Sequence, residues 1–309
     1  MSSQRAAFTG RARELTRAYD RKAVLVTGGL GFIGSNLVHH LARESSAEIR
    51  VVDSLNPLSG GDPENLSGVS RTVELHVLDL ASSAKLRDVV RGIDVVFNLA
   101  GQVSHIDSMT DPLQDLKANS EAQLTLLESC RECNPGVRIV YGSTRQVYGP
   151  TRSLPVDETH PVAPIDINGI NKYSAELFHQ LYYRIHGIET CLLRLTNTYG
   201  PRLLLRHARQ GFIGCFIGKI LDGEEVTLFG DGEQIRDLNY VECVIDAFLL
   251  AGMHPRAPGR VYNLGSGRFA CSRNLLSVIG DLRFAIFRNR PRIVFLKITN
   301  NKSEITDNK

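Results

Sequence analysis

Along the first two-thirds of the chain, short aliphatic and β-branched runs alternate with longer stretches whose apolar residues recur every three or four positions. The short runs, at 23–27, 49–53, 73–78, 94–99, 137–141, 190–195 and 260–263, predict strands. Between them, 31–42 and 112–130 read as helices, the second with Leu113, Leu116, Ser120, Leu124 and Leu127 as its inward stripe. A later helix is expected to place Phe178, Leu181, Tyr182 and Ile185 on one face. Its stop is Gly187, a residue suited to a left-handed cap. This alternation predicts an α/β fold, a doubly wound parallel sheet with helices on both faces.

From about Tyr199 the pattern loosens. Residues 199–236 are richer in Gly and Arg and lack regular alternation, as expected of a smaller lobe closing over the sheet's C-terminal edge. The expected division is a basic extension at 1–20, a dinucleotide-binding domain at 21–198 completed by about 237–264, and a substrate lobe from 199–236 and 265–309. The segment 281–309, basic and apolar and then polar, has no clear turn punctuation.

Composition narrows the class. The 309 residues are 42% hydrophobic and 22% charged, ordinary values for a globular chain, and a net charge of +3 is too small to argue for nucleic acid. No apolar run approaches the roughly 18 residues of a membrane span. Arg5, Arg11, Arg13 and Arg17 lie near the N-terminus without an apolar stretch beside them, so no secretory signal is expected. Six cysteines in a chain of this length are not a disulfide framework, and Cys130 and Cys133 form a CxxC with no second pair to complete a zinc site. No metal and a cytoplasmic location are the expectations.

The most informative stretch is Thr27-Gly28-Gly29-Leu30-Gly31-Phe32-Ile33-Gly34, between a predicted strand and a predicted helix. Gly28 permits a tight turn, Gly31 lets backbone approach a pyrophosphate, and Gly34 lets helix and strand pack closely. The helix N-terminus behind them offers free N–H groups to phosphate. Asp53 ends the next strand, 19 residues beyond Gly34, where a carboxylate holds ribose hydroxyls. An acid there favours NAD over NADP, whose 2′-phosphate would meet a negative charge. Asp79 and Leu80 after the third strand, and Ala100 and Gly101 after the fourth, are expected to line the adenine and phosphates. The first domain is thus predicted to be a Rossmann domain with NAD as cofactor.

The spacing Thr27-Gly28-x-x-Gly31-x-x-Gly34 resembles that of the extended short-chain dehydrogenase/reductases, and within them the nucleotide-sugar epimerases and dehydratases. Three further segments are similar to that family: Tyr141-Gly142-Ser143-Thr144 with Val147-Tyr148-Gly149; Arg194 through Arg202; and Phe229-Gly230-Asp231-Gly232 with Arg236-Asp237 and Tyr240-Val241. The resemblance runs from about Lys22 to Gly267. It implies oxidation of a sugar hydroxyl by bound NAD, with a Tyr as base, a Lys four residues later lowering its pKa and gripping the ribose, and a Ser or Thr on the same oxygen. In an epimerase the keto sugar rotates and the hydride returns to its other face. The resemblance also implies a homodimer built through two helices, one of them 172–186.

Lys172 and Thr144 match that pattern, but the residue four before the lysine is Asn168, where the resemblance calls for Tyr. An amide has no proton to exchange in the useful pH range, and losing a general base typically costs about 100- to 10,000-fold. Three readings stay open: a water, Tyr148 or His105 handles the proton; the protein binds NAD and a sugar nucleotide with little or no turnover; or the scaffold runs another reaction. Tyr173 points about 100° away from Lys172 on a helix and is a poor substitute. Arg145 and Gln146 follow Thr144 where the dehydratases carry acids, which favours an epimerase. The segment after Gly267 carries none of the expected motifs, so an incomplete substrate lobe is expected.

Asn197 and Arg236 are the candidates for holding a nucleotide diphosphate, with Arg202, His207 and Arg209 as a possible basic loop beside them. The resulting expectation is an NAD-dependent UDP-hexose 4-epimerase with a sugar nucleotide as its partner. Its rival is a protein that binds NAD or a sugar nucleotide without turnover.

Overall fold

A computed structural model describes residues 14–56, 59–81, 84–205, 211–229, 231–267, 269–271, 293–299 and 302–306. Strands β1 (Ala23–Thr27), β2 (Glu48–Asp53), β3 (Val73–Val77), β4 (Val95–Asn98), β5 (Arg138–Thr144) and β6 (Glu189–Leu195) follow one another in the chain. After an insertion holding β7 (Asn197–Tyr199), β8 (Val226–Phe229) and β9 (Ile235–Tyr240), the chain returns with β10 (Val261–Leu264). The main sheet has the spatial order β10-β6-β5-β4-β1-β2-β3, and every neighbouring pair is parallel. This is the doubly wound Rossmann sheet expected from the alternation.

The helices are α1 (Phe32–Glu44), α2 (Leu86–Val89), α3 (His105–Thr110), α4 (Pro112–Leu116), α5 (Ala122–Cys133), α6 (Ile167–His186), α7 (Phe212–Asp222) and α8 (Val241–Met253). One face of the sheet is covered by Leu37, Val38 and Leu41 of α1 and by Val244, Ile245 and Phe248 of α8. The other is covered by Leu86, Leu126, Leu127, Cys130 and Tyr182 from α2, α5 and α6. Burial pushes the Cys130 thiol up to about 12, leaving it inert as a nucleophile.

Chain direction across the sheet reverses between β1 and β4, the point where open α/β sheets bind ligands beyond their C-terminal ends. The buried Thr27 hydroxyl stitches this junction. It donates to Asn98 Oδ1 at 2.8 Å and accepts from the backbone N–H groups of Leu99 and Ala100, each at 3.2 Å.

The chain divides into two compact units. The first comprises Met1–Thr196, Gly200–Arg202 and Tyr240–Leu264; the second comprises Asn197–Tyr199, Leu203–Asn239 and Gly265–Lys309. In the second, β9 lies between β7 and β11 (Phe269–Cys271). The atypical C-terminal segment supplies β12 (Ile293–Thr299), parallel to β8, and β13 (Lys302–Thr306), antiparallel to β12.

Three sequence expectations are corrected. Residues 112–133 are helical throughout, α4 running into α5 through a π-turn at Lys117–Glu121, but the stripe is split: Leu113, Leu116 and Leu124 are exposed, while Ser120 and Leu127 are buried with Asp115, Asn119 and Gln123. In α6, Leu181 and Ile185 are 44% and 68% exposed, and the inward face is Asn168, Asn171, Lys172, Ala175, Glu176, His179 and Tyr182. The periodicity was real, but the stripe straddles the boundary: Tyr182 is buried and Phe178 packs against the core, while Leu181 and Ile185 face outward. Finally, 14–20 is not a free extension. Tyr19 is fully buried, its ring 5.7 Å from Phe97 and its hydroxyl donating to the Leu249 carbonyl at 2.7 Å. Arg5, Arg11 and Arg13 lie outside the described residues.

Phe97 sits between Tyr19 and Phe248 on β4, so its removal leaves a cavity that the parallel strands cannot collapse to fill. Phe97→Ala is expected to lower stability by about 3–5 kcal/mol, read as a shift of the urea midpoint at unchanged slope.

Candidate active site

The glycine run turns β1 into α1 at the reversal point. Gly28 has φ of +67°, and a Cβ there would lie 2.8 Å from the Leu99 and Ala100 backbone. At Gly34 a Cβ would run into the Gly28 carbonyl, so no other residue lets α1 cross so close to β1. Leu30 is in the core, and Phe32 and Ile33 pack against its edge, leaving the backbone of 31–34 as the helix's N-terminal face. Asp53 is buried, accepting from Leu30 N at 3.1 Å and Leu55 N at 3.0 Å. Burial raises the pKa of its carboxyl, and these backbone donors oppose the shift.

Beyond β4, a Cβ on Gly101 would stand 2.5 Å from Asn119 Oδ1 and 2.9 Å from Lys172 Nζ. Both polar atoms therefore converge on a position that only a glycine leaves open. Asn119 Oδ1 is buried with no hydrogen-bond partner. Lys172 Nζ reaches the Gly142 carbonyl only at 3.5 Å and lies 5.2 Å from the centre of the Tyr141 ring. Burial lowers the Lys172 pKa to about 8, opposed by Asp115 and Glu176. A glycine cradle at a helix N-terminus, a carboxylate at the end of β2 and an under-bonded lysine past β4 fit a nicotinamide dinucleotide. Asp79 and Leu80 follow β3. The Asp79 carboxylate pairs with Lys117 at 3.0 Å, and the Leu80 side chain is packed in the core.

Asn168 lies in the first turn of α6 and is almost fully buried. Its Nδ2 spreads two hydrogens over Gln102 O at 2.9 Å, Gln102 Oε1 at 3.1 Å and Asp115 Oδ2 at 3.0 Å. Asn171 Nδ2 donates to the other Asp115 oxygen at 2.8 Å. Asn168 is thus a clamp on the 102–115 segment, and an amide cannot act as a base in any case.

Thr144 ends β5 at the same edge; its hydroxyl accepts from Gln146 N at 3.2 Å. Tyr148 is held elsewhere: its hydroxyl donates to Asn263 Oδ1 and accepts from Arg194 Nη1, both at 2.7 Å. Its proton and a lone pair are already in use, which places it in the packing and removes it as a base. Arg194 in turn is paired with the fully buried Glu176 at 2.5 Å, and Glu176 also accepts from Ser143. The third candidate, His105, begins α3, and its Nδ1 lies 3.0 Å from Asp166 Oδ2.

Within the second unit, Asn197 on β7 and Arg236 on β9 stand on adjacent strands. Asn197 Nδ2 donates to the Asp237 carbonyl at 3.2 Å, and Asp237 accepts from Ser266 N and Gly267 N. Arg202 belongs to the first unit and donates to Asn36 of α1 at 2.7 Å. His207, Arg209 and Gly230 lie outside the described residues.

Known proteins share this fold. The profile of the NAD dependent epimerase/dehydratase family matches residues 24–265. A putative UDP-glucose 4-epimerase of Methanocaldococcus jannaschii is 32% identical over 256 residues, covering 83% of this chain and 81% of that protein. The chain belongs to the NAD-dependent epimerase/dehydratase family. A dTDP-glucose 4,6-dehydratase of Mycolicibacterium smegmatis is also 32% identical, over 83% of this chain and 75% of its own. The structure of a UDP-glucose 4-epimerase of Thermotoga maritima with UDP-glucose superposes with a TM-score of 0.79 at 33% identity, covering 88% of this chain and 85% of that one. Both reaction types are therefore found among the family members this chain resembles. No helix of the described residues is long and apolar enough to cross a membrane.

Asp115, Asn119, Gln102, Asp166, Glu176 and Arg194 escaped the sequence reading. The available signal was a polar stripe in α6, at 168, 171, 172, 176 and 179, spaced as regularly as an apolar one.

Lys172 carries a pH signature. Unfolded, it holds its proton to about pH 10.4; folded, only to about 8. Between those values the unfolded state binds more protons, so this residue makes stability rise with pH. In the nucleotide-free protein, Lys172→Met is expected to flatten that rise by up to about 1.4 kcal/mol per pH unit. Urea midpoints of both proteins at pH 7.5 and 9.5 measure the difference.

Proposed function

We propose that the chain is an NAD-dependent nucleotide-sugar epimerase, acting on a UDP-hexose at C4 through transient oxidation to the keto sugar. The observation that carries this reading is the convergence of the buried Lys172 ammonium and Asn119 Oδ1 on Gly101, beside the glycine turn at the sheet's reversal point. NAD, when bound, supplies the acceptor and donor of hydride. Gly28, Gly31 and Gly34 seat its pyrophosphate, Asp53 holds the adenosine ribose, and Lys172 holds the nicotinamide ribose. Thr144 orients the sugar oxygen, while Asn197 and Arg236 hold the nucleotide diphosphate.

The residues after Thr144 support epimerase over dehydratase. Elimination of water needs a group that protonates the leaving hydroxyl. Arg145 holds its proton throughout the useful pH range and Gln146 is neutral; the Gln146 side chain accepts from Thr144 Oγ1 at 3.3 Å. Mixing NAD-loaded protein with UDP-glucose or UDP-galactose is expected to give absorbance near 340 nm and interconverted sugars on product separation. Binding of both nucleotides with a flat trace and unchanged sugars would overturn the epimerase reading in favour of a binding protein.

We also propose a homodimer through the outer face of α6. Ile170, Leu177, Leu181 and Ile185 are exposed there, with Leu124 of α5 exposed on the adjoining helix, more apolar surface than a free helix face carries singly. Replacing both Leu177 and Leu181 by Asp is expected to convert a dimer to a monomer in sedimentation velocity. A monomeric wild type, or an unchanged mass in the variant, contradicts it.

A further inference from the structure

Resting on that reading, the site still lacks a proton acceptor, because Asn168 is an amide and the Tyr148 hydroxyl is committed to Asn263 and Arg194. A second imidazole, His179, is fully buried and stacked on Tyr141 at 4.6 Å, with no path to a substrate. His105 differs from both in exposure and in its partner. It stands at the start of α3, on the segment that leaves β4 at the C-terminal edge of the sheet.

We propose that His105, oriented by Asp166, is the general base that accepts the proton of the sugar hydroxyl. The His105 side chain is 55% exposed, while that of Asp166 is 7% exposed. A carboxylate can only accept, so the ring nitrogen 3.0 Å from Asp166 Oδ2, Nδ1, carries the hydrogen. In the neutral ring the lone pair is then on Nε2. This is the division of labour of a base held in one tautomer by a buried acid.

The acid is itself fixed. Asp166 is the N-cap of α6, its Oδ1 accepting from Gly169 N at 2.6 Å, so one oxygen serves the helix and the other the histidine. The backbone ahead of His105 is fixed as well. Gln102 Oε1 accepts from Ser104 N at 2.8 Å, Gln102 Nε2 donates to Ser104 O at 3.1 Å, and Asn168 donates to both oxygens of Gln102. Asn168 is therefore a positioning residue: its amide steadies the loop that presents His105. Asp166 and Asn168 occupy neighbouring places at the start of the helix that, one turn on, carries Lys172.

In the oxidative direction, the sugar O–H bond breaks and its proton passes to His105 Nε2. The oxygen's electron pair forms the C=O bond as the C–H pair leaves as hydride to the nicotinamide cofactor. The reverse step returns the proton from Nε2–H to the oxygen as hydride returns to carbon.

Two variants and one spectrum test this. His105→Gln is expected to slow single-turnover NADH appearance with UDP-galactose by about 100- to 10,000-fold, with the UDP-galactose dissociation constant within about threefold of wild type. Asp166→Asn keeps an oxygen for the helix cap but turns an NH2 toward Nδ1, moving the ring hydrogen to Nε2. It is expected to slow the same step with little change in melting temperature. In long-range 1H–15N spectra of 15N-histidine-labelled, NAD-loaded protein, His105 is expected to be protonated on Nδ1, to switch to Nε2 in Asp166→Asn, and to shift on adding UDP-galactose. A wild-type rate in His105→Gln overturns the proposal, as does a wild-type ring protonated on Nε2 or a ring unmoved by bound UDP-galactose. If the wild type binds UDP-galactose without turnover, the epimerase reading falls, and the spectrum still decides on its own whether His105 Nε2 is a base facing the sugar.

Discussion

The placement of α6 depends on a charge pair that water cannot reach. Glu176 projects from the middle of the helix into a fully buried position, where it meets Arg194 of β6 and the Ser143 hydroxyl of β5. Removing either partner would strand the other charge in a low-dielectric interior, a loss of about 3–5 kcal/mol, whereas the intact pair adds little net stability. Its value is geometric. The bidentate guanidinium fixes the depth and rotation of α6 on the sheet, and with it Lys172, Asn168 and Asp166, about one, two and three turns upstream.

The inward face of α6 is accordingly unusual in its chemistry. Beside Ala175 and Tyr182 it presents two amides, an ammonium, a carboxylate and an imidazole, each with a partner on the sheet or on neighbouring α4 or the loop beyond β4. Burial pushes the His179 pKa down to about 4, so that ring stays neutral and adds no cation beside Lys172. The π-turn at Lys117–Glu121 belongs to the same arrangement. It carries Asn119, whose carbonyl oxygen lies beside the Gly101 position, and such irregular turns recur where a helix must present a particular side chain.

The parts legible in the sequence were those dictated by backbone geometry. The strands betrayed themselves by continuous apolar runs, and the glycine turn by contacts that any Cβ would violate. Helix phase was legible only where the buried side was apolar. In α6 and at the start of 112–130 the rule held only in part: Leu181, Ile185 and Leu113 face outward, and beside the buried Tyr182 and Leu127 the interior is filled by polar residues whose partners come from distant segments. Asp115 finds Asn168 and Asn171, and Glu176 finds Arg194; nothing local in the chain announces such meetings. The same limit hid the His105–Asp166 contact, since sixty residues separate two groups that only the fold makes neighbours. Tyr19 was missed because its basic surroundings masked a single aromatic anchor.

The Asn168 clamp also bears on what else this position can hold. Placing at this position the tyrosine that the resemblance calls for would put a ring where a short amide fits between Gln102 and Asp115, almost sealed from solvent. The ring's hydroxyl could not serve all three acceptors, so the loop ahead of His105 and Asp115 Oδ2 could not both keep a donor from this position, although Asn119 Nδ2 would still hold the Gln102 carbonyl. The surrounding residues fit the smaller side chain, so a tyrosine here calls for accompanying changes at Gln102 and Asp115. A side chain bonded on so many sides is held at its position by packing alone, whatever it contributes to chemistry.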